Sequence, residues 1–342
     1  MKKTIGICAV ALVAWLSSVE AKPVPALDLV GMINAADVIV LATIERIDDG
    51  GNALAAAPNG PTAVPVLLVE MSVAQVLKGS APSNIRARFV AADSAEASVA
   101  SPPRTLRIGA YRMAFLVETG GQLEFVSAYY PTIVGTAEAI DQTLPISDRV
   151  LTAVAGVVGS DAVESTEKYE AIHTLWGIEA PSALAGVRRG LDDADRSVRL
   201  TAAAALLSSN DLSGWPAAEA ILQNAPSGIE EELVHNLRVG ISQGVREPAA
   251  IPGLSRLLTQ SDPATRRAAI AALAGIDSRA AIRPLMRALD DTDFEVRLSA
   301  VRGLADRAGQ PSLKPSEERF RLNEPSFTLP LREWGQANVV PE

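Results

Sequence analysis

A repeated turn constrains this chain more than any other feature. Ala288-Leu-Asp-Asp-Thr-Asp293, followed by Val296-Arg-Leu-Ser-Ala300, has a near-copy in Gly190-Leu-Asp-Asp-Ala-Asp195 with Val198-Arg-Leu-Thr-Ala202. A third copy pairs Ile251-Pro-Gly-Leu-Ser-Arg-Leu-Leu258, Ser261-Asp262 and Arg266-Arg267-Ala-Ala269 with Ile282-Arg-Pro-Leu-Met-Arg-Ala-Leu289, Thr292-Asp293 and Arg297-Leu-Ser-Ala300. A unit this short cannot bury its apolar face alone, so neighbouring units must stack.

The spacing within each unit is helical. Ile282, Leu285 and Leu289 form one apolar face, and Val296, Ala300 and Leu304 form another. Alanines 268, 269, 271 and 272 let helices approach closely. Asp262 and Asp293 stand where a second helix begins and should cap it. Arg266 and Arg297 follow four residues on, where an acid of the same or the preceding repeat should meet them. Pro252, Pro263 and Pro284 fit first-turn or kink positions. Ala217–Ile241 reads as a divergent unit and Asp148–Ile178 as an atypical first pair, about five pairs in all.

These motifs resemble bacterial HEAT repeats of the type also seen in phycobilisome lyases. The segment Pro315-Ser-Glu-Glu-Arg-Phe320 to Leu331-Arg-Glu-Trp334 resembles the closing segment of such arrays, with Phe320, Phe327 and Trp334 covering the last pair.

Before about residue 135 the pattern is that of strands. A short helix at Leu27–Asn34 leads into Asp37–Ile47; Val66–Leu77, Ile85–Phe89, Tyr111–Glu118 and Leu123–Tyr129 follow. Gly120-Gly121 reads as a tight hairpin turn, and the polar segments Asp48–Pro65 and Ala92–Thr105 as mobile loops. The reading is therefore a multidomain α and β chain: a small five-stranded OB-like β-barrel over residues 22–140, an α-solenoid of HEAT-like helix pairs over 147–310, and a tail over 311–342.

The first half resembles the netrin-like module, the OB-class barrel of tissue inhibitors of metalloproteinases. Asn34-Ala-Ala-Asp-Val-Ile-Val-Leu-Ala-Thr-Ile44, Val73-Ala-Gln-Val-Leu-Lys-Gly79 and Gly109-Ala-Tyr-Arg-Met-Ala-Phe-Leu116 carry that likeness. Those inhibitors hold a protease zinc through an N-terminal cysteine, and no cysteine stands near Lys22-Pro23. The resemblance implies a fold and not that inhibition.

Lys2-Lys3, an apolar run from Thr4 to Leu16 and Ser17-Ser-Val-Glu-Ala21 have the layout of a signal peptide over residues 1–21, implying a periplasmic or secreted protein. No later stretch is apolar enough to span a membrane once that leader is removed. The one cysteine, Cys8, lies inside the leader, so disulfides and thiol chemistry are not expected in the exported chain. A net charge of −9 without a Lys/Arg cluster argues against nucleic acid.

Chemistry is sparse. The two histidines, His173 and His235, fall on separate predicted helices without a second ligand at metal spacing. His173 lies in Tyr169-Glu-Ala-Ile-His-Thr-Leu-Trp176 and reads as a packed or surface residue; His235 is within a turn of Glu231. Asp290-Asp-Thr-Asp293 and Asp192-Asp-Ala-Asp195 lack the glycine and distal glutamate of a calcium loop. No Gly-x-Ser-x-Gly, dinucleotide or P-loop pattern occurs. The expectation is no catalytic, cofactor or metal site, and a non-enzymatic scaffold holding a protein or peptide on its repeat surface. A lyase-like enzyme or accessory, and a protease inhibitor using the barrel, are the alternatives.

Overall fold

The computed structural model describes residues 29–55, 62–90, 105–127, 131–224 and 231–339. The leader and the Ala92–Thr105 segment, apart from Thr105, lie outside these residues, as do Leu27 and Tyr129.

After a short helix, α1 (Leu29–Ala35), come six strands: β1 (Val38–Ala55), β2 (Thr62–Lys78), β3 (Asn84–Val90), β4 (Tyr111–Thr119), β5 (Gln122–Phe125) and β6 (Thr132–Ile133). They bond in the order β1-β2-β3-β5-β4, and β4 pairs back onto β1 to close the ring, with β6 attached to β4. The β3–β5 pairing is parallel and the rest are antiparallel. This is the OB-like barrel read from the sequence, with β6 added.

The segment read as a loop at Asp48–Pro65 is in part a continuation of the first hairpin. Asp48 pairs with Leu68, Asp49 with Leu67, Asn52 with Pro65 and Ala53 with Val64. A register shift between Asp49 and Asn52, with Gly51 at φ 81°, interrupts the side-chain alternation there. Backbone pairing carries the strands on where the alternation fails.

The apolar run of β1 has a two-sided explanation. Val40, Ala42 and Ile44 point into the barrel with Leu67, Val69, Phe89, Ala114 and Leu116. Ile39 and Leu41, on the opposite face, join Met113, Phe115 and Ile133 in a core shared with the first helices of the solenoid. A strand buried on both faces shows no polar alternation. The two halves are thus welded through one apolar core.

Five helix pairs follow among the described residues: α2 (Ile146–Val158) with α3 (Ser165–Leu175), α4 (Pro181–Arg189) with α5 (Arg196–Ser208), α6 (Trp215–Asn224) with α7 (Glu231–Gly244), α8 (Ile251–Leu257) with α9 (Pro263–Gly275), and α10 (Ile282–Ala288) with α11 (Phe294–Arg307). The tail forms α12 (Glu317–Leu322) and α13 (Pro325–Asn338); Phe320 and Phe327 are buried in the solenoid core and Trp334 packs on it. From α5 to α11 the second helices stack on one another while the first helices barely touch, so the second helices line the inner side of the curve. Glycine permits the tightest of these stacks: a Cβ at Gly240 would fall 2.6 Å from the Ala204 carbonyl oxygen, and one at Gly244 would collide with that of Leu207.

Candidate interaction surface

Three devices recur along the solenoid, the first two of them in the pairs that end in α5, α9 and α11. The first is the cap. Asp195, Asp262 and Asp293 each accept backbone N–H bonds at the start of α5, α9 and α11.

The second is an arginine four residues after each cap that closes the turn behind it. Arg199 donates to the carbonyls of Asp193 and Ala194, Arg266 to those of Gln260 and Ser261, and Arg297 to those of Asp291 and Thr292. The acids that meet these arginines correct the expectation. Arg266 pairs at 2.9 Å with Asp291 of the following unit, and Arg297 at 2.7 Å with Glu324 of the tail. The acid lies ahead because the long guanidinium reaches over the turn it closes toward the next pair.

The third device ties the caps at Asp262 and Asp293 to the preceding second helix. Arg238 of α7 bonds Asp262 at 2.9 Å, and Arg267 of α9 bonds Asp293 through two parallel contacts of 2.9 and 2.7 Å. The Arg267 guanidinium, with backbone N–H groups at Val296 and Glu295, holds the Asp293 carboxyl below the usual carboxylate range against the opposing effect of burial. Asp290 bonds Arg332. The carboxylates of Asp290-Asp-Thr-Asp293 that could suggest a calcium loop are therefore engaged by arginines. Among the described residues no group of three or more His, Cys, Asp or Glu side chains is placed to hold a metal ion.

The junction with the barrel is polar as well as apolar. Glu170 of α3 accepts from Arg112 of β4 at 2.5 Å and from the Val134 amide at 3.2 Å. Arg112 also donates to Thr132, and Arg149 of α2 donates to the carbonyl of Leu77.

The inner face itself begins at α3. Tyr169, His173 and Trp176 stand at i, i+4 and i+7 and stack in a row, with ring centroids 4.3 Å apart for Tyr169–His173 and 5.6 Å for His173–Trp176. All three are half-buried, and Tyr169 and Trp176 pack on the solenoid core. Helix α5 disappears beneath them: every residue from Thr201 to Leu207 is buried. Burial pushes the His173 imidazole below its ordinary pKa, while the Glu232 carboxylate of α7 pulls the other way. His173 Nε2 is buried and has no hydrogen-bond partner.

His235 is exposed on α7, and its neighbour Glu231 accepts instead from Arg238 at 2.7 Å. The exposed Glu231 and Glu232, the exposed Arg267 and the half-exposed Ala271 continue the inner face beyond the aromatic row. Sequence reasoning took His173 as a packed or surface residue and missed the row. Its helical spacing was visible, but not that α3 would pack against α5 with these rings left half-buried.

Residues 241–319 match the family model for HEAT repeats. That stretch is a HEAT-repeat region within the longer helical solenoid. Among solved structures, an engineered protein from a structural genomics programme shares 20% identity with this chain, covering 56% of it and 96% of the engineered chain at a TM-score of 0.35. A designed armadillo repeat protein solved in complex with a (KR)4 peptide shares 18%, covering 56% and 99% at 0.34. A second engineered protein shares 20%, covering 56% and 52% at 0.33. No curated protein matches this chain. Among the described residues, no helix of the HEAT solenoid or elsewhere is long and apolar enough to cross a membrane.

Proposed function

We propose that this chain is an exported, non-enzymatic scaffold whose HEAT-repeat inner face binds a segment of another protein. The observation that carries the reading is the half-exposed Tyr169–His173–Trp176 row, which runs off the C-terminal end of α3. Rigid aromatic side chains at a concave surface supply contact area at little entropic cost, and they are the commonest anchors of protein recognition. A stack of helix pairs extends that surface along its second helices. The barrel, sharing a core with α2 to α5, acts as a rigid mount rather than a tethered second module. Export rests on the Lys2-Lys3, Thr4–Leu16 and Ala21 pattern.

Site-specific photo-crosslinking in cells tests both parts. A photoreactive residue at His235 or Ala271, on the second helices, is expected to capture the same discrete protein, whereas one at the exposed Ala185 of α4 captures none. Equal capture from Ala185 would move binding off the inner face. Intact-mass measurement of the exported chain reads cleavage after Ala21; an uncleaved chain retained in the cytoplasm would end the export reading.

A further inference from the structure

We propose that the outer face of α13 docks a second copy of this chain, the two α13 helices lying antiparallel about a two-fold axis with Leu329 at its centre.

The repeat register continues into the tail. Glu324 follows Asp293 by as many residues as Asp293 follows Asp262, and each stands at the cap of the helix after it. The tail is thus laid out as a further unit, with α13 in the place of a second helix. The fifth residue after the cap faces the unit that follows. On α9 it is Arg267, which bonds Asp293 of the next pair. On α11 it is Leu298, 2% exposed, and Phe294 one turn before it meets Phe320 of the tail. On α13 it is Leu329, and it is 59% exposed.

Leu322, at the end of α12, is 80% exposed. Single exposed apolar residues are ordinary, but here two stand on one unit, one of them at a stacking position. A repeat that ends a stack needs a polar outer face to stay in solution. Helix α13 lacks one: Leu329, Pro330 and Ala337 are exposed, and Glu333 is its single exposed charge. What fits the place of a following unit is helical surface of the same kind, and every copy of the chain carries it.

Charge selects the orientation. Arg319 of α12 lies over the Phe327 ring, beside the start of α13, and pairs with no carboxylate among the described residues. Glu333 lies toward the other end of α13 and is likewise unpaired. Antiparallel seating brings the Arg319 end of one copy to the Glu333 end of the other, twice. Glu317 is bonded to Arg321, while Glu318 stays exposed next to Arg319, so the leucines carry more of the interface than the charges do. A contact built on one helix face is small, and the dimer is expected to be weak and concentration-dependent.

Sedimentation velocity of the full chain over a concentration series is expected to show monomer passing to dimer. Leu329→Glu alters a side chain that is already mostly exposed, so the dichroism spectrum should not change. It would bury an unpaired carboxylate at the axis and is expected to raise the dissociation constant about a hundredfold. Val30→Glu, at the 62% exposed Val30 of α1, is expected to leave it unaltered. Glu333→Arg is expected to weaken the dimer about tenfold, and Arg319→Glu in the same chain to restore it.

A chain that stays monomeric throughout the series overturns the proposal, as does a dimer indifferent to Leu329→Glu. Equal loss with Val30→Glu would reveal a general effect of added charge and remove the assignment to α13. A double variant that fails to recover the dimer overturns the antiparallel seating.

Discussion

Lys168 Nζ lies 2.6 Å from Asp193 Oδ2, and the two side chains are only 10% and 8% exposed. They are 25 residues apart in the chain, the same separation as Arg266 and Asp291, which are equally buried. Lysine on α3 therefore occupies the place that arginine takes on α9. The first helix pair, despite its divergent sequence, is built on the frame of the later ones.

That pair should be sensitive to losing one partner. Lys168→Ala leaves a buried carboxylate without its cation and is expected to cost about 3–5 kcal/mol, read by urea denaturation. Lys168→Arg should recover most of the loss. A cost below about 1 kcal/mol for the alanine variant would show that the pair behaves like an exposed one.

Two changes in the last repeat should act on stability and not on binding. Leu289 is 2% exposed, and Leu289→Ala is expected to cost about 2–5 kcal/mol. Arg297→Ala removes the bonds to two turn carbonyls and to Glu324, with an expected cost of about 1–3 kcal/mol. Loss of partner capture with an unchanged melting temperature would contradict this assignment.

Helix spacing gives a sharper test. Gly244→Ala would drive a methyl group into the backbone of Leu207 and Ser208, separating α5 from α7 at an expected cost of about 1–3 kcal/mol. Gly309→Ala, where nothing crowds the Cβ but φ is +64°, should cost only the backbone strain, about 1 kcal/mol. Thermal melts of the two variants should rank in that order.

Acid should loosen the repeat joints. Hydrogen bonds from Arg267 to Asp293, and from the Ser165 hydroxyl and Ser197 amide to Asp195, hold both carboxyls below their usual range. A depressed carboxylate contributes stability above its unfolded pKa and loses it as pH falls through the folded value. Stability is therefore expected to decline below about pH 4, and Asp293→Asn should flatten that decline. His173 acts in the same direction at a higher range: its lowered folded pKa favours the native state above the ordinary imidazole value, and that contribution is lost as pH falls from there through the folded one. A His173→Gln variant with an unchanged pH profile between about pH 7 and 5 would rule this out.

The barrel and the first repeats should unfold together, because Ile39, Leu41, Met113 and Phe115 share one core with Val150, Val154 and Ile172. Far-UV dichroism at helix and sheet wavelengths is expected to follow one transition over that part of the chain. An isolated Asp148–Glu342 segment would expose the shared surface and is expected to be unstable or aggregated. Two well-separated transitions would show that the barrel folds independently.

The repeated Asp–Arg turns, the caps at Asp262 and Asp293 and the succession of strands were legible in the sequence, because each depends on local spacing and on the period of apolar residues. Even the two-sided burial of β1 was signalled by its unbroken run from Val38 to Ala42, although the run could not say what would cover the outer face. Contacts between units were not legible. Arg266 finds its acid ahead rather than behind, the Ala92–Thr105 interval gives no clue to the ring closing between β1 and β4, and Glu170 is claimed by the barrel through Arg112. Hydrophobic period and capping chemistry are properties of neighbours along the chain, so the sequence alone determines which helices and strands form. Which carboxylate meets which guanidinium, and how tightly the small residues of α5 and α7 let those helices stack, depends on how closely whole helices approach. Only the tertiary packing decides that distance.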